Sequence, residues 1–186
     1  KVGSLDVTAV VDSYNWSNKI DTYGGTSRNL DDALTVTLGG SYDFGVAKAY
    51  LSGQYFDNML ANDATAAAAQ KDTMDTYSSF GSYFNGKAFK GYSVLAGMDA
   101  PVLGGKALFA VGYTDAKDAD GSDALGKTEL SRYGASVGYT YDLSRRTNVY
   151  AVAAYYKDSV DKDAASNYQD HDPSTATIYA GIRHTF

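Results

Sequence analysis

Cysteine is missing from this 186-residue chain, and proline occurs only twice. Without cysteine there is no disulfide, no thiolate metal site and no cysteine nucleophile. No run of about 18 apolar residues occurs, so no bilayer-spanning helix can be drawn. A strand-built membrane domain stays open, because alternating faces give no hydropathy peak. Basic charge is scarce as well: 16 Lys and Arg stand against 22 Asp and Glu, with a net charge of −6 and a pI near 4.7. That balance argues against nucleic acid as a partner, since neutralising phosphates needs a basic face. Catalytic patterns are equally thin. There is no Gly-x-Ser-x-Gly elbow, no phosphate-binding glycine loop and no His-x-x-x-His spacing. His171, near Asp172 and Ser174, lies in a polar stretch that orients no triad. The sequence predicts neither an enzyme nor a cofactor. No leader segment is visible at Lys1, so the chain is expected to be mature or a fragment.

What the chain has in quantity is tyrosine, 17 residues, and glycine, 19 residues. It also has alternation of period two, which marks strands with two unlike faces. Leu34, Val36, Leu38, Gly40, Tyr42 and Phe44 share one face, with Thr35, Thr37, Gly39, Ser41 and Asp43 on the other. Tyr133, Ala135, Val137, Tyr139 and Tyr141 alternate in the same way with Arg132, Gly134, Ser136, Gly138, Thr140 and Asp142. Similar segments surround Tyr92–Met98 and Phe109–Tyr113, and residues 3–16, 46–56, 147–157 and 177–186 complete about eight expected strands. Their connections alternate in length. Short turns are expected around Gly45, Gly104 and Arg145, and long polar loops over 17–32, 57–86, 115–129 and 157–174. The alanine run at 64–70 is the one helix-leaning piece. Short turns on one rim and long loops on the other is the plan of an outer-membrane barrel, with both chain ends on the periplasmic side.

The polar faces carry Thr, Ser and Gly rather than the dense charge of a watered surface. The apolar faces finish in aromatics, Tyr42, Phe44, Tyr113, Tyr139 and Tyr141, as a lipid interface favours. The expectation is an all-β, antiparallel transmembrane barrel whose apolar face meets lipid.

Val137-Gly138-Tyr139-Thr140-Tyr141-Asp142-Leu143-Ser144-Arg145-Arg146-Thr147-Asn148-Val149-Tyr150-Ala151 and the final Gly181-Ile182-Arg183-His184-Thr185-Phe186 resemble a known family. General trimeric porins of Gram-negative bacteria, above all the β-proteobacterial type, have a similar Leu-Ser-(Lys/Arg)-Arg-Thr hairpin and a similar terminal Gly-(Ile/Leu)-Arg-His-x-Phe. The resemblance covers about the last third of the chain. It implies a 16-stranded, water-filled barrel, usually a homotrimer, passing small hydrophilic solutes, with Phe186 as part of the assembly signal. The chain is too short for sixteen strands, so it is either the C-terminal half of a porin or a complete eight-stranded barrel. The family's constriction loop has no recognisable counterpart. Small residues on the expected lumen face, among them Gly39, Ser52, Ser93, Gly112, Gly134, Ala151, Ala153 and Gly181, would leave voids in a narrow barrel but suit a wide channel. The half-porin reading is therefore favoured.

Lys48, Arg132 and Arg183 fall on the lumen parity and predict a weak anion preference. Asp43, Asp99 and Asp142 share that parity, each ending a strand near a short turn. Most of the acids lie in the long loops, where an acidic rim would meet lipopolysaccharide and its bridging cations. Asp118, Asp120 and Asp123 are at most a faint metal candidate, because the glycine position is wrong for a calcium loop. The alternative to a channel is an eight-stranded barrel that binds or adheres through those loops.

Overall fold

A computed structural model of the chain describes residues 4–15, 20–23, 26–29, 31–60, 84, 88–119, 127–163 and 172–186. Ten strands follow one another: β1 (Leu5–Tyr14), β2 (Ile20–Tyr23), β3 (Thr26–Asn29), β4 (Ala33–Asp43), β5 (Lys48–Leu60), β6 (Ala88–Val102), β7 (Gly105–Asp118), β8 (Lys127–Ser144), β9 (Thr147–Asp163) and β10 (Ser174–His184). Eight of them form one antiparallel sheet in the order β1-β4-β5-β6-β7-β8-β9-β10, and β2 with β3 makes a separate hairpin. Among the described residues β1 and β10 have no ladder to each other, so the sheet is open along two edges. The alanine run at 64–70 lies outside the described residues.

The short connections are tight for identifiable reasons. Leu103 and Gly104 join β6 to β7 with φ of 49° and 79°, the two left-handed residues of a hairpin turn whose twist matches its strands. Phe44 N–H donates to the Ala47 carbonyl at 2.9 Å, and Gly45, at φ 86°, gives its N–H to Asp43 Oδ1 at 2.8 Å. Gly105 serves a different need. Tyr139 folds across it and donates its hydroxyl to the Val102 and Leu103 carbonyls at 3.0 and 3.2 Å. A Cβ on Gly105 would stand 2.6 Å from Tyr139 Cζ and closer still to the Thr140 carbonyl oxygen. Gly105→Val is therefore expected to expel the ring and cost about 1–3 kcal/mol, measured as a lower urea midpoint of the protein folded in lipid vesicles.

Strand pairing runs further than the polar stretches suggested. β7 continues to Asp118, β8 begins at Lys127 and β9 reaches Asp163, so much of 115–129 and 157–163 is ladder rather than loop. These ends carry dense charge, broken only by single apolar residues, Ala116, Leu130 and Val160, which is too little alternation to mark a strand in sequence.

Cross-strand register divides the sheet into two surfaces. One carries Val7, Leu38, Leu51, Val94, Val111, Val137 and Ile178, and the other Thr37, Ser52, Ser93, Gly112, Ser136 and Thr177. The polar face is not free of large apolar side chains, since Val10, Leu95 and Leu108 also lie on it. Ala151 and Ala153 correct the reading of β9: they pair with Tyr139 and Val137 on the apolar face. Residues 149–156 are apolar on both parities apart from tyrosine hydroxyls, so parity there had no contrast to follow.

Candidate functional site on the polar face

Lys48, Arg132, Arg183, Asp43, Asp99 and Asp142 all take positions on the polar face, as parity requires. They are not one cluster. Near the short turns, Lys48 stands opposite both Asp43 on β4 and Asp99 on β6. Tyr50 donates its hydroxyl to Asp99 Oδ2 at 2.6 Å, and Lys106 Nζ approaches Asp99 Oδ1 at 3.4 Å. Lys48 Nζ lies 5.1 Å from the centre of the Tyr50 ring. Further along, Asp142 and Arg183 flank Asn148. The three aspartates thus alternate with bases and amides along this rim.

The other end of the polar face is built differently. Arg132 clasps Asp158 with two parallel bonds, Nε to Oδ1 at 2.5 Å and Nη2 to Oδ2 at 2.7 Å, the fork geometry that makes such pairs strong. Its guanidinium also rests 4.5 Å from the Tyr156 ring centre. Asp158 is 1% exposed. It went unforeseen because it fell in a stretch read as loop.

Beside this pair is an apolar cluster of Phe56, Phe84, Ala116, Leu130 and Val160, with Met59 and Phe89 against it. Phe84 is fully buried and stacks on Phe89 at 4.8 Å between ring centres. It lies in sequence between β5 and β6 and packs on the polar face. Tyr77, Phe80 and Tyr83 are aromatic neighbours in sequence, and nothing local singled out Phe84 among them as the buried ring. Next to the cluster a cleft of 580 Å³ is lined by Asp12, Tyr14, Thr35, Gln54, Ser93, Thr114 and Arg132, with Phe56, Met59 and Phe89 at its base. Between the two ends the wall mixes small residues, Thr37, Gly39, Ser52, Gly97, Gly112, Ser136 and Ala154, with the larger Val10, Leu95, Leu108 and Val152.

On the opposite face the aromatics form two rows. Tyr42, Phe44, Tyr139 and Tyr141 lie toward the short turns, where Tyr42 and Phe44 meet edge to face at 4.7 Å. Tyr113 belongs to the other row, with Tyr55, Tyr92, Tyr133 and Tyr155. Phe186 is fully exposed beside His184, at 5.0 Å between rings, and Thr185 N–H ties this end to the Arg146 carbonyl at 2.9 Å. Asp118 accepts a bond from Thr128 N–H at 2.9 Å and closes the β7–β8 ladder. Asp120 and Asp123 lie outside the described residues, and the described residues group no metal-binding set.

Two comparisons bear on this geometry. A family model described as Gram-negative porin matches residues 2–161. An outer membrane porin protein of Bordetella pertussis is 31% identical over 188 residues, covering 99% of this chain and 43% of that protein. The chain therefore spans less than half the length of the curated relative it matches.

Proposed function

This chain belongs to the Gram-negative porin family, and from that premise we propose that the full protein is a passive outer-membrane channel. Small hydrophilic solutes and ions diffuse through a water-filled lumen, part of whose wall is the polar face of this sheet. One observation carries the reading: the apolar face is bare. Leu38 is 59% exposed, Leu51 62% and Ile178 82%, and no described layer covers them. A sheet in water would bury such a face; lipid is the medium in which it costs nothing. The aromatic rows support the same reading. Tyr133 and Tyr141 are eight residues apart on β8, roughly 27 Å along the strand and about 20 Å across a bilayer at barrel tilt, near the height of a lipid-facing band. The charged strand ends beyond Tyr133 then project into the headgroup region and water.

The free edges of β1 and β10 call for further strands, and we take the sheet as part of a wider, 16-stranded barrel assembled as a homotrimer. The long connections face outward, where lipopolysaccharide is the neighbouring lipid, and the short turns and Phe186 face the periplasm, Phe186 serving assembly. Chemistry on the solute has no part in the reading.

Ion preference is read from the whole polar face. Lys48, Arg132 and Arg183 alone favour anions, but Arg132 is neutralised by Asp158. Among side chains described on that face, Asp6, Asp12, Asp43, Asp99, Asp118, Asp142 and Asp158 outnumber Lys48, Lys106, Arg132 and Arg183. A weak cation preference follows for this part of the wall, in place of the anion preference that three bases suggested. Planar-bilayer recording of the detergent-extracted protein tests both points. Large ohmic steps with a small reversal potential of cation sign are expected in a salt gradient. Absence of conductance would end the channel reading and favour adhesion through the long loops; an anion sign would end the charge argument alone.

A further inference from the structure

Lysines in this sheet mostly have an acid at hand. Lys48 stands between Asp43 and Asp99, Lys106 reaches Asp99 at 3.4 Å, and Lys157 reaches Asp172 at 3.1 Å. Lys90 and Lys117 break the pattern. They are direct cross-strand partners on the apolar face of β6 and β7, where like charges repel. Glu129 stands on the far side of Lys117, but neither lysine forms an ion pair among the described residues. Lys117 is exposed and Lys90 half-buried. The pair lies just past the second tyrosine row: Lys90 is two residues beyond Tyr92, about 7 Å along the strand.

Two ammonium groups side by side at that height need an anion, and in lipid the anion at hand is a headgroup phosphate. We propose that Lys90 and Lys117 together hold a phosphate of a lipopolysaccharide headgroup in the outer leaflet. The inference rests on the orientation given under the channel reading, in which this end of the sheet faces outward. Free anions are a poorer fit. Glu129 opposes Asp161 in the next two strands, so the row as a whole, two bases and two acids, carries no net positive charge to draw a free anion. Only an anion already held at the membrane surface gains from the lysine pair without paying for its own approach. Insertion of the acyl chains along the adjoining apolar face supplies that anchoring.

The test compares the full-length protein with the Lys90→Gln/Lys117→Gln and Lys90→Arg/Lys117→Arg double variants. Each is extracted in detergent and titrated with vesicles containing lipid A, dephosphorylated lipid A, or phosphatidylcholine alone. The glutamine variant should bind lipid A vesicles about 30-fold more weakly. The arginine variant should bind like the parent, and dephosphorylated lipid A should bind the parent no better than phosphatidylcholine. Millimolar inorganic phosphate should compete little. Equal binding by parent and glutamine variant overturns the inference, and so does full competition by inorganic phosphate, which would make this a free-anion site. Conductance is recorded on the same samples. Its loss in the parent would count against the channel reading, whereas an unchanged lipid titration with intact conductance would count against the lysine site alone.

Discussion

Arginine at position 137 should markedly destabilise the protein in a membrane, while arginine one residue earlier should leave its stability close to the parent's. Val137 stands on the apolar face between Phe109 and Ala153, midway between Tyr133 and Tyr141, and is 56% exposed. A cation there would sit at the depth where lipid is driest, at a cost of about 2–4 kcal/mol in a transmembrane barrel. Ser136 points to the other side, opposite Ala110 and Ala154. Arginine there stays hydrated in a wide lumen and obstructs it in part. Folding in lipid vesicles, followed by urea titration, should show Val137→Arg losing stability by that amount and Ser136→Arg close to the parent. Conductance should fall in Ser136→Arg, with its reversal potential moved toward anions. If Ser136→Arg were instead the variant that unfolds, the polar face would not border water, and the assignment of the two faces would be inverted.

The contrast between those neighbours is legible in the sequence, because parity along β8 is arithmetic once one face is Tyr, Val and Ala and the other Gly, Ser and Thr. The same contrast puts all six charged candidates on one side and marks the eight strands of the main sheet. Legibility fails where contrast fails. Along β9, apolar side chains on both parities put Ala151 and Ala153 on the wrong face. At the outer ends of β7, β8 and β9, dense charge broken only by the single apolar residues Ala116, Leu130 and Val160 passes for loop, and Asp158 is lost with it. The hairpin of β2 and β3 was missed although Gly24-Gly25 between its strands is a turn signal. Phe84 and the Arg132–Asp158 fork are different in kind. They depend on segments remote in sequence meeting on one face, which no local pattern encodes.

That fork gives the second large effect. Asp158→Ala would remove a carboxylate that is 1% exposed from a guanidinium whose side chain is 22% exposed. Fully buried pairs lose roughly 3–5 kcal/mol when one partner goes, because the remaining charge stays desolvated. Here Arg132 also lines the cleft and can take up water there, so about 2–3 kcal/mol is the reasonable expectation. The Tyr156 ring offers the freed cation some compensation but accepts no proton from it. Replacing both residues, Arg132→Met with Asp158→Leu, should recover most of the loss, since neither then leaves a buried charge. A double-mutant cycle in urea-titrated vesicles measures the coupling, and simple additivity of the two single changes would show that the fork contributes nothing of its own. Asp158→Asn adds a readout that packing cannot mimic. It keeps the shape, leaves one more positive charge facing the cleft, and should move the reversal potential toward anions. Arg132→Gln should move it the opposite way. If neither substitution shifts the potential, ions do not pass near this end of the polar face, and the cleft beside Phe84 lies off the conduction path.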